Sequence, residues 1–140
     1  MENLLTVENL HKAFKVSANR PGAAKQLLKA VDGISFELKT GETLGLVGES
    51  GCGKSTTGKL LLRLIEPDQG IINFDGQTVT GMPKRQLTAL RREMQIIFQD
   101  PYSSLNPRMR VGEIIGEPLV IHDLARGSDV REQVLILMKK

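Results

Sequence analysis

The segment at residues 48–55, with the sequence GESGCGKS, constrains the fold more than any other part of this chain. Its two outer glycines have four residues between them, and a lysine and a serine follow directly, which matches a phosphate-binding loop completely. A short apolar run at residues 43–47 precedes the segment, and a helical pattern over residues 54–65 follows it. The sequence therefore predicts a strand of a parallel sheet, a glycine-rich loop and a helix, in that order.

The residue types of this loop suit the binding of a nucleotide phosphate. Glycines let the backbone turn its N–H groups inward around an anion, and the N-terminus of the following helix adds partial positive charge. We expect Lys54 to bind the terminal phosphates of ATP or GTP, and Ser55 to bind Mg²⁺. The dinucleotide motif G-x-G-x-x-G is absent, because Thr56 stands where its last glycine would be. The predicted nucleotide-binding residues of the loop are Gly48, Glu49, Ser50, Gly51, Cys52, Gly53, Lys54, Ser55 and Thr56.

Cys52 lies inside this loop and is the one cysteine of the sequence. We interpret it as a small residue that fits the loop, although the adjacent helix N-terminus could make its thiol reactive. In that second case, ATP should protect Cys52 from alkylation. A single cysteine also excludes an internal disulfide framework and suggests a reducing compartment.

The residues around the loop predict a second structural layer. Strand patterns occur at residues 4–10 and 30–38, with a loop predicted at residues 17–24 between them. A further strand is predicted at residues 71–74, followed by a turn at Asp75-Gly76. We expect these strands to form an antiparallel sheet.

The C-terminal part of the chain is predicted to be largely helical. Helical spacing covers residues 82–92, 111–124 and 129–138, and Pro118 should kink or end the second of these helices. Residues 94–98 form a short apolar run and are predicted to be a strand.

Composition and charge exclude several other classes of protein. The net charge of +3 is too small to indicate a nucleic-acid partner. No run approaches the roughly 18 apolar residues of a membrane span, and no signal peptide is recognisable at the N-terminus. His11 and His122 are far apart, and no Cys/His cluster has the spacing of a metal site.

A longer motif resembles one particular family. The sequence MQIIFQDPYSSLNPR at residues 94–108 is similar to the Q-loop region of the dipeptide and oligopeptide importer ATPases of bacteria, a branch of the ABC transporter ATPases. Residues 48–55 resemble the Walker A motif of the same family, and the overall pattern is most similar to the second ATP-binding subunit of such importers. The resemblance covers nearly the whole chain and continues over residues 28–36, 61–67, 111–115 and 117–119.

The resemblance implies a fold and several site residues. It implies an α/β fold: an incomplete P-loop NTPase core with an N-terminal antiparallel β subdomain, roughly residues 1–40 and 70–80. It implies that Gln99 is the Q-loop glutamine, which contacts Mg²⁺ and water and senses the membrane subunits. On the residues alone, Asp100 is an alternative Mg²⁺ ligand, because it follows an apolar run as P-loop carboxylates do.

Phe14 falls where the family places an aromatic ring against adenine, and a core phenylalanine on the first strand is the other interpretation. The predicted catalytic residues are then Lys54 and Gln99, and the predicted Mg²⁺ ligands are Ser55 and Gln99.

The function implied by the resemblance is that of an ATP-binding subunit that energises import of dipeptides or oligopeptides. Its cofactors would be ATP and Mg²⁺, and it would lie on the cytoplasmic face of the inner membrane as a peripheral protein. Its partners would be transmembrane permease subunits, a second ATPase subunit of the same or another chain, and, indirectly, a periplasmic or extracellular peptide-binding protein. The alternatives are a nucleotide-binding module without hydrolysis and another P-loop kinase or NTPase.

Some family motifs do not occur in residues 1–140. There is no LSGGQ-like signature, no apolar run that ends in Asp-Glu as in a Walker B strand, and no recognisable switch histidine. We therefore expect residues 1–140 to be the N-terminal part of an ABC ATPase domain, without its helical subdomain and Walker B region. Such a part should expose apolar surface where the remaining core would pack.

Overall fold

An antiparallel sheet forms the N-terminal layer of the computed structural model, which describes residues 3–16, 26–100 and 104–140. Strand β1 (Asn3–Val16) lies between β2 (Gln26–Lys39) and β3 (Gln69–Phe74), and β4 (Gln77–Thr78) extends the sheet beside β3. Every pairing is antiparallel. The predicted antiparallel sheet is therefore confirmed, with longer strands than the sequence pattern indicated. The loop predicted at residues 17–24 lies outside the described residues.

The turn predicted after β3 is also present. Asp75 and Gly76 both have positive φ, 46° and 71°, as a two-residue type I′ hairpin turn requires. Gly76 takes this conformation without steric cost, and aspartate is among the side chains that tolerate it best.

The core of the first unit of the chain, residues 1–87, lies against this sheet. Leu10 of β1 and Ile72 of β3 are fully buried, as is Leu60 of the helix α1 (Lys54–Leu61). Val79, which follows β4, is equally buried. Helix α1 contacts β2, so the helix that follows the glycine-rich loop is held against the sheet.

Helix α1 ends earlier than the predicted boundary at residue 65. Arg63 takes a left-handed conformation with φ of 50°, and the N–H groups of Arg63 and Leu64 donate to the carbonyls of Leu60 and Lys59. This is the Schellman arrangement that terminates a helix. The guanidinium of Arg63 also donates to the carbonyl oxygens of Val79 at 2.9 Å and Met82. The helix therefore ends at Leu61, in a Schellman motif that the tertiary hydrogen bonds of Arg63 support.

The two apolar runs predicted to be strands are not strands. Residues 43–47 and 94–98 are irregular, and Val47 and Ile97 are 95% and 94% exposed. A strand needs a neighbouring strand to accept and donate its backbone hydrogen bonds. None of the described strands pairs with either run, and the parallel sheet expected at residues 43–47 is accordingly not formed by them.

The second unit, residues 88–140, is helical, as predicted. Helix α2 (Lys84–Leu90) begins directly after Pro83 and ends within this unit, and it is shorter than the predicted 82–92. Helix α4 (Ser128–Leu137) corresponds to the prediction at 129–138, and helix α3 (Val111–Ile121) precedes it.

Helix α3 continues past Pro118 for three residues, so the proline does not end it at that point. Its N-terminus is closed by Glu113, whose carboxylate accepts the N–H of Arg110 at 2.8 Å. At its C-terminus Asp123 takes φ of 54°, and the N–H of Leu124 donates to the carbonyl of Leu119. The helix therefore ends before the predicted residue 124. In the described ranges, none of the helices combines the length and the apolar character that a membrane span needs.

Candidate phosphate-binding site

The glycine-rich loop at residues 48–55 depends on left-handed backbone at two of its glycines. Gly51 has φ of 85° and Gly53 has φ of 100°. A Cβ atom at residue 53 would overlap the carbonyl oxygen of Ala30, which belongs to β2. Only glycine therefore allows the end of the loop to approach the backbone of β2 this closely.

The N-terminus of α1 presents backbone N–H groups to the loop. Gly53 is the N-cap, no side chain caps the helix there, and its first turn contains no acidic residue. The first N–H groups of an α-helix have no intrahelical acceptor, and the helix dipole gives this end partial positive charge. Thr57 is buried and donates its hydroxyl to the carbonyl of Gly53 at 3.1 Å, which fixes the start of the helix. Ser55 is exposed at this terminus.

Lys54 lies over the loop that precedes it. Its ammonium donates to the carbonyl oxygens of Gly48 and Glu49, both at 2.7 Å, and lies 3.4 Å from the sulfur of Cys52. The positive charge is thus concentrated where the loop curves around the helix N-terminus. A phosphate oxygen there could accept from the same ammonium and from the N–H groups of α1.

Cys52 has a packing role in this loop. Its sulfur occupies the space that a Cβ at residue 48 would need, and its N–H lies 3.3 Å from the carbonyl of Glu49 in a tight turn. Cys52 is nevertheless exposed. Cys52 therefore packs against Gly48 and is accessible to an alkylating reagent.

Phe14 lies on β1, opposite Leu28 of β2, and is 39% exposed. The interpretation of Phe14 as a core residue does not fit this exposure. The ammonium of Lys12 lies over the Phe14 ring, 5.7 Å from its centroid. Contact of this ring with adenine stays a prediction.

Two cavities of the first unit lie beside the loop and beside the Lys12 end of β1. A cavity of about 150 Å³ lies beside the loop and is lined by residues that include Val31, Asp32 and Lys54. A second cavity, of about 340 Å³, is lined by Val31 and Asp32 as well, together with Lys12 and Asp68. Because they share two lining residues, the glycine-rich loop and the Lys12 end of β1 are neighbours.

Two ion pairs line the second cavity. The ammonium of Lys29 lowers the pKa of the Asp32 carboxyl, with His11 contributing, and the ammonium of Lys12 lowers the pKa of Asp68.

The sequence alone did not identify Lys12, Asp68 or the close approach of the Ala30 carbonyl to Gly53. The alternation of a strand places residues 12 and 14 on one face, so that pattern could have indicated Lys12, whereas the Asp68 contact depends on the tertiary fold.

Gln99 and Asp100 lie in the second unit, whereas the glycine-rich loop lies in the first. Gln99 is exposed and follows an irregular segment, and the carbonyl of Asp100 accepts a hydrogen bond from the Ser104 hydroxyl at 2.9 Å. In the part of the chain that the structure describes, no group of three or more His, Cys, Asp and Glu residues could hold a metal ion. The hydroxyl of Ser55 and the amide of Gln99 stay the predicted Mg²⁺ ligands.

Known proteins provide an independent comparison. A sequence model of the ABC transporter family matches residues 31–139. The glutathione import ATP-binding protein GsiA of Pectobacterium atrosepticum is 45% identical over 99% of this chain and 22% of its own length, and that of Escherichia coli K12 is 46% identical over the same shares. The putative oligopeptide transport ATP-binding protein YkfD of Bacillus subtilis is 53% identical over 71% of this chain and 30% of its own length. The chain therefore spans less than a third of these curated relatives.

Solved structures agree with this comparison. A dimeric ATP-binding cassette in a post-hydrolysis state, bound to ADP and Pi, is 25% identical, with a TM-score of 0.74 over 96% of this chain and 56% of that one. A dimeric bacterial ABC transporter cassette has the same TM-score at 24% identity and supports the fold alone. The predicted fold class, a partial P-loop core of the ABC ATPase type with an N-terminal antiparallel sheet, is confirmed.

Proposed function

The chain belongs to the ABC transporter family, and we propose that it binds Mg-ATP through residues 48–55 as part of the ATP-binding subunit of a peptide importer. The observation that carries this proposal is the arrangement of the loop. Gly53 is held against β2, the N-terminus of α1 has no side-chain cap, and the ammonium of Lys54 lies over the loop. Preorganised N–H groups beside a cation are what the phosphates of a nucleotide require.

Each residue of the loop would act on the nucleotide in a different way. Lys54 would exchange its bonds to the carbonyls of Gly48 and Glu49 for bonds to phosphate oxygens, which accept more strongly because they are charged. Ser55, exposed at the start of α1, would give its hydroxyl to Mg²⁺, which keeps most of its other positions for phosphate and water. Phe14 would place its ring against the adenine.

The transport function is proposed from the relatives. Those proteins are named for glutathione import and oligopeptide transport, and glutathione is itself a short peptide. We propose short peptides as the solute class, with Gln99 coupling the nucleotide to membrane permease subunits and with Lys54 and Gln99 serving ATP hydrolysis. The protein would work with a second ATPase subunit at the cytoplasmic face of the inner membrane, and indirectly with a peptide-binding protein outside it.

Equilibrium binding of a fluorescent ATP analogue, with unlabelled ATP and GTP as competitors, tests the nucleotide part of this proposal. Lys54→Ala should weaken ATP binding by about tenfold or more, since a hydrogen bond to a charged group contributes roughly 1.5–3 kcal/mol. Lys59→Ala is the matched control, because it removes the same charge from an exposed site on α1. Equal affinity of the two variants for ATP would contradict the role of Lys54, and a preference for GTP would contradict the transporter assignment.

A further inference from the structure

We propose that Lys12 and Asp68 are positioning residues for the nucleotide base, because together they fix the ring of Phe14. This inference rests on the proposed function, since it supposes that a nucleotide occupies the loop and that its base meets Phe14. Neither Lys12 nor Asp68 would touch the phosphates. Both would act through the aromatic ring, so they would change the protein's affinity for the base and not its affinity for the phosphates.

The ammonium of Lys12 lies over the ring of Phe14. The two residues are two positions apart on β1, so their side chains leave the same face of the sheet. The ammonium of Lys12 lies 5.7 Å from the ring centroid, within the range of a cation–π interaction. The Lys12 side chain is only 16% exposed, and partial burial strengthens this attraction.

Asp68 is the anchor that holds Lys12 in place. The Asp68 carboxylate accepts from the Lys12 ammonium at 2.8 Å with one oxygen and from the N–H of Ala13 at 2.7 Å with the other. The N–H of Asp68 in turn donates to the carbonyl of His11 at 2.9 Å. Three hydrogen bonds thus connect residues 11–13 of β1 to one aspartate.

The position of this anchor on the sheet explains why it is needed. The pairing of β1 with β3 ends at His11, opposite Gln69. Beyond that point β1 continues to Val16 with β2 on one side, and a register shift falls between Lys12 and Ala13. Asp68 takes the place of a β3 neighbour at residues 12 and 13 of β1, just before Phe14. β1 is therefore held up to residue 13 by β2 on one edge and by β3 and Asp68 on the other.

The ring of Phe14 is accessible to a ligand. Phe14 is 39% exposed, and the Lys12 ammonium lies over one of its faces. A flat base can stack on the other face. The cavity that Lys12 and Asp68 line shares Val31 and Asp32 with the cavity beside Lys54, so the anchor that holds the ring lies near the phosphate site.

The test measures affinity for ATP and for inorganic tripolyphosphate, which has the phosphates without the base. Lys12→Met should weaken ATP binding by about three- to tenfold and change tripolyphosphate binding by less than about twofold. Lys12→Arg should restore ATP binding, since a guanidinium can keep both the ring contact and the ion pair with Asp68. Lys29→Met is the matched control, because Lys29 lines the same cavity and pairs with Asp32, whereas in the described part of the chain it is Lys12 whose ammonium lies over the Phe14 ring.

A double-mutant cycle completes the test. In a Phe14→Ala background, Lys12→Met should weaken ATP binding no further, and Asp68→Asn should behave like Lys12→Met in each background. Equal losses for ATP and tripolyphosphate, or additive effects of Lys12→Met and Phe14→Ala, would overturn the inference. A wild-type protein that binds both ligands equally would overturn the contact with the base, and one that binds neither would overturn the proposed function itself.

Discussion

Strand β3 and the apolar run at residues 43–47 are similar in length and in their content of apolar residues, yet they differ completely in structure. Ile72 of β3 is fully buried and its strand is paired on both sides, whereas Val47 is 95% exposed in an irregular segment. Both segments have side chains that favour a strand. The difference is that β3 pairs with both β1 and β4, while no described strand pairs with the run. Apolar sequence gives the tendency to form a strand, and a hydrogen-bonding neighbour decides whether it forms.

This difference determines how the phosphate-binding loop is held. The loop follows the exposed run on one side and leads into α1 on the other. Its fixed contacts are on the α1 side, where Gly53 meets the backbone of β2 and Thr57 is buried. The loop geometry should therefore be sensitive to changes at Gly53 and insensitive to changes in the run.

The largest expected effect comes from breaking the packed side of the loop with Gly53→Ala. The φ of 100° is unfavourable for alanine, and its Cβ would overlap the Ala30 carbonyl. Strain and overpacking together should destabilise the fold by about 3 kcal/mol or more in urea unfolding, with loss of ATP binding. Gly51→Ala is the matched control: φ is 85° but nothing lies near its Cβ, so it should cost about 1–2 kcal/mol. Equal costs would contradict the contact with β2.

A direct comparison of the two apolar segments gives the next largest effect. Ile72→Ala creates a cavity in the core and should cost about 3 kcal/mol. Val47→Ala removes methyl groups that are already exposed, so it should change the free energy of unfolding by less than about 0.5 kcal/mol. Urea denaturation of both variants tests this. A comparable loss at Val47 would mean that the run is packed in solution.

The C-terminal end of α1 sharpens the same comparison. The Arg63 side chain is 9% exposed and donates to two backbone carbonyls, so Arg63→Met should cost about 2 kcal/mol. Arg126, 82% exposed in its pair with Asp123, is the control, and Arg126→Met should cost less than about 0.5 kcal/mol. If Arg63→Met were as mild as Arg126→Met in denaturant titrations, the tertiary account of the helix end would be wrong.

The smallest expected effect is the loss of stability at acid pH. The pKa of Asp68 and of Asp32 is held below the usual value of 3.8 by the lysine beside each carboxyl. A carboxyl with a lowered pKa adds stability that is present above its unfolded pKa and is lost as the pH falls through its folded pKa. The urea concentration at the unfolding midpoint should therefore decrease as the pH is lowered below 3.8. This decrease should be smaller in Asp68→Asn than in the wild type. A variant with the wild-type acid profile would show that the Asp68 contacts contribute nothing.

Sequence reasoning identified the elements whose signals are local. Glycine placement and alternation act over a few residues. They indicated the loop at residues 48–55, the Asp75-Gly76 turn and the strands β1 and β2, which pair antiparallel. The C-terminal end of α1 and the irregular structure of residues 43–47 could not be predicted. The first depends on Arg63 reaching the carbonyls of Val79 and Met82, and the second depends on which strands are neighbours.

The candidate site also contains residues that could be predicted from local sequence and residues that could not. Lys54 and its loop were predicted because the motif fixes their spacing, and the structure brings them together over the helix N-terminus. The anchor that Asp68 provides for Lys12 was not predicted, since 56 residues separate the two along the chain. The roles of Gln99 and Phe14 stay predictions that rest on family resemblance.

The most direct test of the central claim, that residues 48–55 hold the phosphates of ATP, is the alkylation rate of Cys52. It is the one cysteine in the sequence, is exposed, and lies within the loop, so mass spectrometry after iodoacetamide reports on this site alone. At ten times the dissociation constant, Mg-ATP should slow labelling by about tenfold in the wild type, as mass action requires. The same concentration should protect Lys54→Ala far less. Equal labelling rates with and without Mg-ATP in the wild type would contradict the account.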